Sequence, residues 1–383
     1  MPATPEPRPF LVDVPEAVLD DLAVRLDRVR WPDEIPGSEW TYGTELTYLQ
    51  ELVAYWRHGY DWRAAERLLN DFPQYRVEID GIDLHYLLVP GQGPDPLPLV
   101  LAHGWPGSVF EFHKVIPRLT DPARFGGDPA DAFTVVAPSL PGYGFSFRPG
   151  QRRVDLAGMA SIFATLMTDV LGFPRYGAQG GDWGSAVVTW LGLRDLEHLA
   201  GIHLNLLFAR PSGDERGAPE AEGYRARVDR WMAEETGYQW IQGTRPQTLA
   251  YALTDSPVGL AGWIVEKYRA WSDCGGDVER RFTKDELLTT VMIYWVTGAI
   301  GSSFWPYYAT RHGSAVLQPG DRVEVPTGFA AFPAEIVPPL RSTGERFYNL
   351  TRWTEMPAGG HFAALEEPEA LAGDIVAFFR PLR

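Results

Sequence analysis

The sequence predicts an α/β protein in which helices cover both faces of a mainly parallel sheet, with a helical extension before the sheet and a helical lid inserted into it. Short apolar runs alternate with helical patterns along most of the 383 residues, which is typical of a parallel sheet. One apolar run leads into a helical pattern through a tight glycine-rich turn. A long stretch with helical periodicity and many aromatic residues interrupts this alternation and indicates the lid.

Residues 1–74 are predicted to form the helical extension. Apolar residues recur at helical spacing in three segments, and Pro32 and Pro36 separate the first segment from the second. The recurring residues are Leu19, Leu22, Leu26 and Val29, then Leu46, Leu49, Leu52, Val53 and Trp56, and then Trp62, Ala65, Leu68 and Leu69.

Residues 75–208 and 321–383 are predicted to form the sheet and its covering helices. Strands are expected at Tyr75–Ile79, Ile82–Val89, Leu97–Ala102, Phe133–Ala137, from Tyr176 onward, at Gly201–Phe208, at Arg322–Val325 and near Trp353–Met356. Ser108 and Glu111 have the spacing of a capping box, which predicts the start of a helix. A last helix is expected at about Pro368–Phe379.

Residues 209–320 are predicted to form the lid, inserted after the sixth of these strands. A second capping box, at Thr283 and Glu286, accompanies the helical periodicity. The polar segment Arg210–Glu222 contains glycine and proline and is expected to be the hinge into the lid. The aromatic residues of the lid include Trp231, Tyr238, Trp240, Tyr251, Trp263, Tyr268, Trp271, Tyr294, Trp295, Trp305, Tyr307 and Tyr308.

The composition argues against several kinds of partner. The formal net charge is −16, from 50 acidic and 34 basic residues, which disfavours nucleic acid and anionic membrane surfaces. Cys274 is the only cysteine, so no intramolecular disulfide can form. The eight histidines show neither an HExxH motif nor a Cys/His cluster. We therefore expect neither a metal nor another cofactor.

Targeting signals are not visible in the sequence. Met1–Glu6 contains no basic segment followed by an apolar one, so no signal peptide is expected. No apolar run reaches the roughly 20 residues that a membrane-spanning helix needs. We therefore expect a cytoplasmic protein without a membrane anchor, and we keep a homodimer as a hypothesis.

The tight turn carries Asp182, the first candidate catalytic residue. It lies in Gly180-Gly181-Asp182-Trp183-Gly184-Ser185, where flanking glycines allow a turn in which a Cβ would clash. An aspartate that attacks a saturated carbon forms an ester, which an activated water can hydrolyse, whereas serine would form a stable ether. The turn therefore indicates displacement at an sp³ carbon followed by ester hydrolysis. A plain turn is the alternative, because Asp and Gly both favour turns.

A carboxylate nucleophile needs a base to activate water and an acid to orient that base. His361 is the candidate base, because it lies in a glycine-containing loop after the last expected strand and before the last helix. Glu335 follows the penultimate strand and is a candidate acid. Asp321, Glu324 and Glu345 compete with Glu335, and spacing alone does not choose among them.

The reaction also needs an oxyanion hole and a proton donor for the leaving oxygen. The loop His103–Gly107 follows a strand directly, so the backbone N–H groups of Trp105 and Trp183 are candidate oxyanion donors. His103, at the strand end beneath this loop, is expected to have a structural role. Two lid tyrosines could donate O–H groups to the developing alkoxide, although composition alone cannot select them.

The sequence resembles an epoxide hydrolase of the α/β-hydrolase superfamily, in its microsomal-like branch. The resemblance covers nearly the whole chain, and its motifs together are highly specific. The matching segments are Tyr55-Trp56-Arg57, Tyr60-Asp61-Trp62-Arg63 and Leu69-Asn70-Asp71-Phe72-Pro73 in the N-terminal region, His103-Gly104-Trp105-Pro106-Gly107-Ser108 at the oxyanion loop, Gly181-Asp182-Trp183-Gly184-Ser185 at the nucleophile, Phe329-Ala330-Ala331-Phe332-Pro333-Ala334-Glu335 at the acid, and Gly359-Gly360-His361-Phe362-Ala363-Ala364-Leu365-Glu366-Glu367-Pro368 at the base.

The resemblance implies an α/β-hydrolase fold and assigns the remaining roles. It favours Glu335 as the acid, and it implies Tyr238 and Tyr307 as the proton donors, with Tyr308 an alternative because Phe304-Trp305-Pro306-Tyr307-Tyr308 departs from the family pattern. The implied reaction opens an epoxide to a vicinal diol through an ester on Asp182. The chain lacks the anchoring helix of microsomal members and so resembles soluble microbial ones.

Two other functions compete with this interpretation. A haloalkane or haloacid dehalogenase shares the aspartate nucleophile but needs a halide-binding site, so halide release would distinguish it from diol formation. A binding protein with a catalytically inactive pocket is disfavoured by the complete set of candidate groups. The aromatic residues of the lid favour a small-molecule epoxide that is bulky or aromatic, consistent with detoxification or secondary metabolism.

Overall fold

Nine strands form one sheet in the computed structural model, which describes residues 6–209, 220–313, 317–318, 320–337 and 339–383. They are β1 (Arg8–Phe10), β2 (Gln74–Ile79), β3 (Ile82–Val89), β4 (Leu97–Ala102), β5 (Phe133–Pro138), β6 (Tyr176–Gly180), β7 (Leu199–Leu204), β8 (Val323–Ala331) and β9 (Tyr348–Glu355). Their order across the sheet is β1-β2-β3-β5-β4-β6-β7-β8-β9. From β5 to β9 in this order all neighbours run parallel, whereas β1, β2 and β3 continue the sheet antiparallel. The predicted mainly parallel sheet is confirmed.

The helices occupy the predicted places around the sheet. They are α1 (Glu16–Leu26), α2 (Leu46–His58), α3 (Trp62–Asn70), α4 (Ile116–Thr120), α5 (Leu156–Thr165), α6 (Asp182–Arg194), α7 (Glu220–Glu234), α8 (Gly237–Thr244), α9 (Pro246–Asp255), α10 (Pro257–Ala270), α11 (Lys284–Thr297), α12 (Ile300–Ser303), α13 (Trp305–His312), α14 (Arg341–Phe347), α15 (Ala363–Glu366) and α16 (Pro368–Phe379). The first three form the helical part of the extension, and α16 has the limits that the sequence predicts.

Both faces of the sheet are buried, because alternate residues of the central strands pack on opposite sides. Val100 and Ala102 of β4 belong to the apolar cluster that contains α5 and α6. Leu99 and Leu101 of the same strand belong to the cluster that contains α4 and α16. This two-sided burial explains why the central strands are almost continuously apolar in the sequence.

Four strands differ from the prediction by more than one residue, and one of them, β9, begins at Tyr348 rather than near Trp353. Strand β1 was not expected, because three residues are too few to show a periodic pattern. Strand β7 begins and ends earlier than Gly201–Phe208. Strand β8 continues past Pro326 and Gly328, which interrupt its apolar pattern, and its pairing with β9 shifts register between Val323 and Pro326. Such a shift accommodates a proline, which cannot donate to the ladder.

Seven helices, α7–α13, lie between β7 and β8 in the described part of the insertion. The insertion follows the sixth predicted strand, which is the seventh strand of the sheet because β1 adds one. Thr283 and Glu286 form the predicted capping box at the start of α11. Of the expected hinge Arg210–Glu222, residues 210–219 lie outside the described residues. The limits of extension, core and lid stay predictions.

The other expected capping box is wrong. Val109–Phe112 forms a single 3₁₀ turn, and the Ser108 hydroxyl accepts a hydrogen bond from the Phe110 N–H rather than from the Glu111 N–H. The short turn directs the Glu111 side chain to a cavity beside Asp182.

Over the described ranges, no single helix is both long and apolar enough to cross a membrane. The segments Lys284–Thr297 and Ile300–His312 satisfy the length and composition criteria only as a pair, and they are bent by 103°. The cytoplasmic location and the homodimer stay predictions.

Candidate active site

Asp182 lies at the turn between β6 and α6, with a backbone φ of +46°. This left-handed conformation is uncommon for a residue with a side chain and is typical of a strained strand-to-helix elbow. Two glycines make the turn possible. A Cβ at Gly184 would lie 1.9 Å from the Ala102 carbonyl oxygen, and one at Gly180 would lie 2.4 Å from the Gly184 carbonyl oxygen. The predicted turn therefore presents the Asp182 carboxylate at the carboxyl end of the sheet.

The two oxygens of the Asp182 carboxylate have different partners. Oδ1 accepts a hydrogen bond of 2.8 Å from the Trp105 backbone N–H, and Oδ2 lies 3.3 Å from His361 Nε2. A Cβ at Gly104 would lie 2.2 Å from Oδ1, so the loop can approach the carboxylate only with glycine there. Trp183 lies in the first turn of α6, where N–H groups have no acceptor within the helix.

Of the candidate acids, Glu335 is the one that the fold brings to His361. A parallel bridge between Ala334 and Gly360 brings together the loops that follow β8 and β9. Glu335 Oε1 lies 2.6 Å from His361 Nδ1, and both residues are buried. The competitors have other partners: Asp321 accepts from the Gln318 N–H, Glu324 pairs with Arg322, and Glu345 pairs with Arg341.

The charge of His361 is controlled by its two carboxylate neighbours. Burial by itself lowers the pKa of His361, but the charge of Glu335 and the hydrogen bonds to Asp182 and Glu335 outweigh burial and raise this pKa well above its usual value. The raised pKa favours the protonated imidazole, and neutralising either carboxylate would lower the pKa of His361.

Tyr238 and Tyr307 converge over the oxyanion loop from α8 and α13. The Tyr238 ring stacks on Trp105 with centroids 5.3 Å apart, and the Tyr307 ring meets Trp105 and Trp183 edge-on at 5.9 and 4.8 Å. The two phenol rings are 5.6 Å apart. Burial raises the pKa of both phenols well above the usual range, so they stay protonated. The buried Tyr307 hydroxyl has no hydrogen-bond partner among the described residues.

Tyr308 points away from this cluster. Its ring stacks on Trp305 at 5.5 Å and on His312 at 4.0 Å, along the outer side of α13. Adjacent helical residues project about 100° apart, so only one of the two tyrosines can face the oxyanion loop. The structure places Tyr307 there.

His103 supports the oxyanion loop from beneath. It is buried, its Nδ1 lies 3.0 Å from the Gly104 carbonyl oxygen, and its Nε2 accepts a hydrogen bond from the Leu140 N–H. Burial lowers the pKa of His103 to about 4, so the ring is neutral. These contacts agree with the structural role expected for this histidine.

Three polar residues beside Asp182 were missed by the sequence analysis. Glu111, Gln179 and Asn205 line a cavity of about 20 Å³ that Asp182 and His361 also line. Glu111 follows the oxyanion loop, Gln179 lies in β6, and Asn205 follows β7. Their positions at the carboxyl ends of neighbouring strands were the available signal, but polar residues at strand ends are common and the sequence does not show which side chains meet.

Two family models match the sequence. The model described as epoxide hydrolase N terminus matches residues 7–112, and the one described as alpha/beta hydrolase fold matches residues 98–236. Among related sequences, epoxide hydrolase 1 of Oryctolagus cuniculus is 40% identical over an alignment of 402 positions, which covers 97% of this chain and 88% of the relative.

Solved structures extend the similarity to the fold. The structure of Aspergillus niger epoxide hydrolase has a TM-score of 0.87 at 32% identity and covers 100% of this chain and 98% of that one. The crystal structure of juvenile hormone epoxide hydrolase from the silkworm Bombyx mori has a TM-score of 0.90 at 28% identity and covers 99% and 95%. Because the matches in sequence and in fold both span nearly the whole length, this chain has the α/β-hydrolase fold and belongs to the epoxide hydrolase family.

Proposed function

We propose that the enzyme opens epoxides to vicinal diols through a covalent alkyl ester on Asp182. One observation carries the proposal: a single carboxylate contacts both an oxyanion-loop N–H, through Oδ1, and a histidine–carboxylate pair, through Oδ2. Two buried phenols lie over the same loop. This arrangement supplies a nucleophile, a base and proton donors within one apolar site.

In the first step, Asp182 Oδ2 attacks an epoxide carbon and the C–O bond of the ring breaks. The electron pair of that bond goes to the ring oxygen, which accepts a proton from Tyr238 or Tyr307. Hydrogen bonds from both phenols stabilise the developing alkoxide before the proton moves. The product is a hydroxyalkyl ester, so the enzyme gains the full mass of the epoxide.

In the second step, His361 removes a proton from water, and the resulting hydroxide attacks the ester carbonyl carbon. Oδ1 becomes the oxyanion and is stabilised by the backbone N–H groups of Trp105 and Trp183. Collapse of this intermediate breaks the bond between the carbonyl carbon and Oδ2, so that Oδ2 leaves with the diol and takes the proton from His361. Asp182 is left as a carboxylic acid, and loss of its proton together with reprotonation of the tyrosine phenolate formed in the first step restores the enzyme. Ester formation lowers the pKa of His361, because it removes the Asp182 charge that helps to keep the imidazole protonated. The neutral base that this step needs is therefore favoured.

The substrate that we propose is an aryl or other bulky apolar epoxide. Further aromatic rings surround the two phenols: Trp105 contacts Trp271 and Phe304, and Trp271 contacts Tyr238. A pocket with aromatic walls favours bulky apolar ligands.

A dehalogenase is the second candidate, because the indole Nε1 groups of Trp105 and Trp183 are buried without a partner in the described chain and could donate to a halide. The two phenols favour the epoxide, since a departing halide needs no proton. The test is to incubate the enzyme separately with styrene oxide and with a 1-haloalkane of similar size. We expect diol from the first and no halide from the second, and the reverse result would contradict the proposal.

Replacing Tyr307 by phenylalanine is expected to slow alkylation on the order of 10²-fold, because one of two proton donors to the ring oxygen is lost. Stopped-flow tryptophan fluorescence with an aryl epoxide measures this step. Tyr308→Phe is the matched control, because Tyr308 lies on the outer side of α13, and its alkylation rate should be nearly unchanged. A larger loss in Tyr308→Phe than in Tyr307→Phe would show that the donor is misassigned.

Hydrolysis of the ester is expected to slow as the pH falls. The base must be neutral. In the alkyl-enzyme the Asp182 charge is gone, so Glu335 alone raises the pKa of His361, and lowering the pH through that pKa converts the base to imidazolium. Below it, the rate should fall about tenfold for each pH unit. The decay of the alkyl-enzyme in a single turnover measures the rate, and a decay that is independent of pH would contradict the role of His361.

A further inference from the structure

A cavity for one water molecule adjoins the candidate nucleophile and base. Its volume is about 20 Å³, and a site of this size holds a water when polar groups surround it. Its polar lining consists of Asp182, His361, Glu111, Gln179 and Asn205. The cavity therefore has both the size and the polarity of a water site.

Glu111 reaches this cavity because the neighbouring loop residue has no side chain. A Cβ at Gly107 would lie 1.2 Å from Glu111 Oε1, so the carboxyl group occupies the space that any other residue at position 107 would fill. The residue as a whole is partly exposed, but its carboxyl lies deep enough for burial to raise its pKa to about 8. The Asp182 charge also raises this pKa, while His361 and the Ser108 N–H oppose the shift. At neutral pH the carboxyl thus carries a proton that it can donate.

Gln179 presents an unused acceptor on the same cavity. The residue is 2% exposed, and its Nε2 donates a hydrogen bond of 3.0 Å to Asn205 Oδ1. Its Oε1 is buried without a hydrogen-bond partner among the described residues. Buried polar atoms are rarely left unpaired, so an acceptor in this position indicates a bound water.

We propose that Glu111 and Gln179 are positioning residues that hold the water which hydrolyses the Asp182 ester. A water in the cavity can donate one hydrogen to His361 Nε2 and the other to Gln179 Oε1. It can accept a hydrogen bond from Glu111, which leaves its remaining lone pair for the ester carbonyl carbon. The inference rests on the proposed two-step reaction and adds to it the groups that orient the second reactant.

The test measures the two steps separately by stopped-flow fluorescence with styrene oxide. Glu111→Met and Gln179→Met remove the hydrogen-bonding groups with little change of volume, and each is expected to slow ester hydrolysis about tenfold or more, because orientation of the reactant is lost. The alkylation rate should stay close to that of the parent, since no water takes part in that step. Glu111→Gln keeps an N–H donor and should recover most of the hydrolysis rate.

Glu66→Gln is the matched control for replacing a buried carboxylate by an amide. Glu66 accepts hydrogen bonds from the Val14 N–H and from Arg63 in the N-terminal extension, away from Asp182, so both rates should be unchanged. Equal loss of both steps, or unchanged hydrolysis in the two methionine variants, would overturn the water site. If the parent enzyme formed no ester at all, the proposed function would fail instead, and the two failures are therefore distinguishable.

Discussion

The His361→Gln variant is expected to react with an aryl epoxide and then to stop, with the ester trapped on Asp182. Removing a general base slows the step it serves by about 10²–10⁴-fold, and here that step is ester hydrolysis alone. Asp182 keeps its Trp105 N–H contact in the variant, because that contact comes from the oxyanion loop. Intact mass should show an increase equal to the full mass of the epoxide, and peptide mapping should locate it on Asp182.

The mass itself distinguishes the two candidate reactions. An epoxide adds all of its atoms to the enzyme, whereas a haloalkane would add only its alkyl group and release halide. His198→Gln is the matched control, because His198 forms a partly exposed pair with Asp195, and such pairs have little effect. The His361→Gln variant must first be shown by circular dichroism to be folded, since glutamine at position 361 leaves Glu335 buried without its imidazolium partner. Normal turnover of a folded His361→Gln variant would show that the base is misassigned.

The Asp182→Asn variant is expected to lose both steps. An amide cannot attack the epoxide carbon, and loss of a nucleophile lowers kcat on the order of 10⁴–10⁶-fold. Asparagine suits the position structurally, because it tolerates the left-handed backbone better than other residues with a side chain. The measurement is diol formation at high enzyme concentration together with intact mass, and we expect neither diol nor adduct.

Asp80→Asn provides a control with the same substitution on the same kind of backbone. Asp80 also has a positive φ, of +51°, but it lies in the turn between β2 and β3. The Asp80→Asn variant should retain full activity, which would separate the loss of the nucleophile from any effect of asparagine on a strained turn.

Diol formation that increases with storage of Asp182→Asn would indicate hydrolysis of the amide back to aspartate, so freshly prepared protein is required. Persistent activity of a fresh Asp182→Asn sample, without recovered aspartate in the peptide map, would rule out Asp182 as the nucleophile.

The sequence by itself determined the parts of the site that depend on local backbone geometry. The elbow at Asp182 is visible because Gly180 and Gly184 are needed wherever a side chain would overlap the backbone. The oxyanion loop and the His361 loop are visible for a related reason, since each follows a strand and contains glycine. The parallel sheet is visible because its central strands are buried on both faces and are therefore almost continuously apolar.

Only the tertiary structure decided the relations between distant segments. Spacing could not rank Glu335 against Asp321, Glu324 and Glu345. The choice depends on which segment around β8 meets the loop after β9, and that contact is made by the loop that carries Glu335. The orientation of α13, which turns Tyr307 inward and Tyr308 outward, depends on how the insertion packs against Trp105 and Trp183.

Dependence on contacts between distant segments also explains why Glu111 and Gln179 were missed and why the helix at Ser108 was predicted incorrectly. A capping box and a 3₁₀ turn share the same sequence pattern, and the difference lies in whether the serine hydroxyl accepts a hydrogen bond from the N–H three residues later or, as here, from the N–H two residues later. Local sequence specifies backbone conformation through steric limits and hydrogen bonding between near neighbours. Which side chains share a water, an anion or a proton depends on contacts between residues far apart in the chain, and these are determined only when the whole core packs.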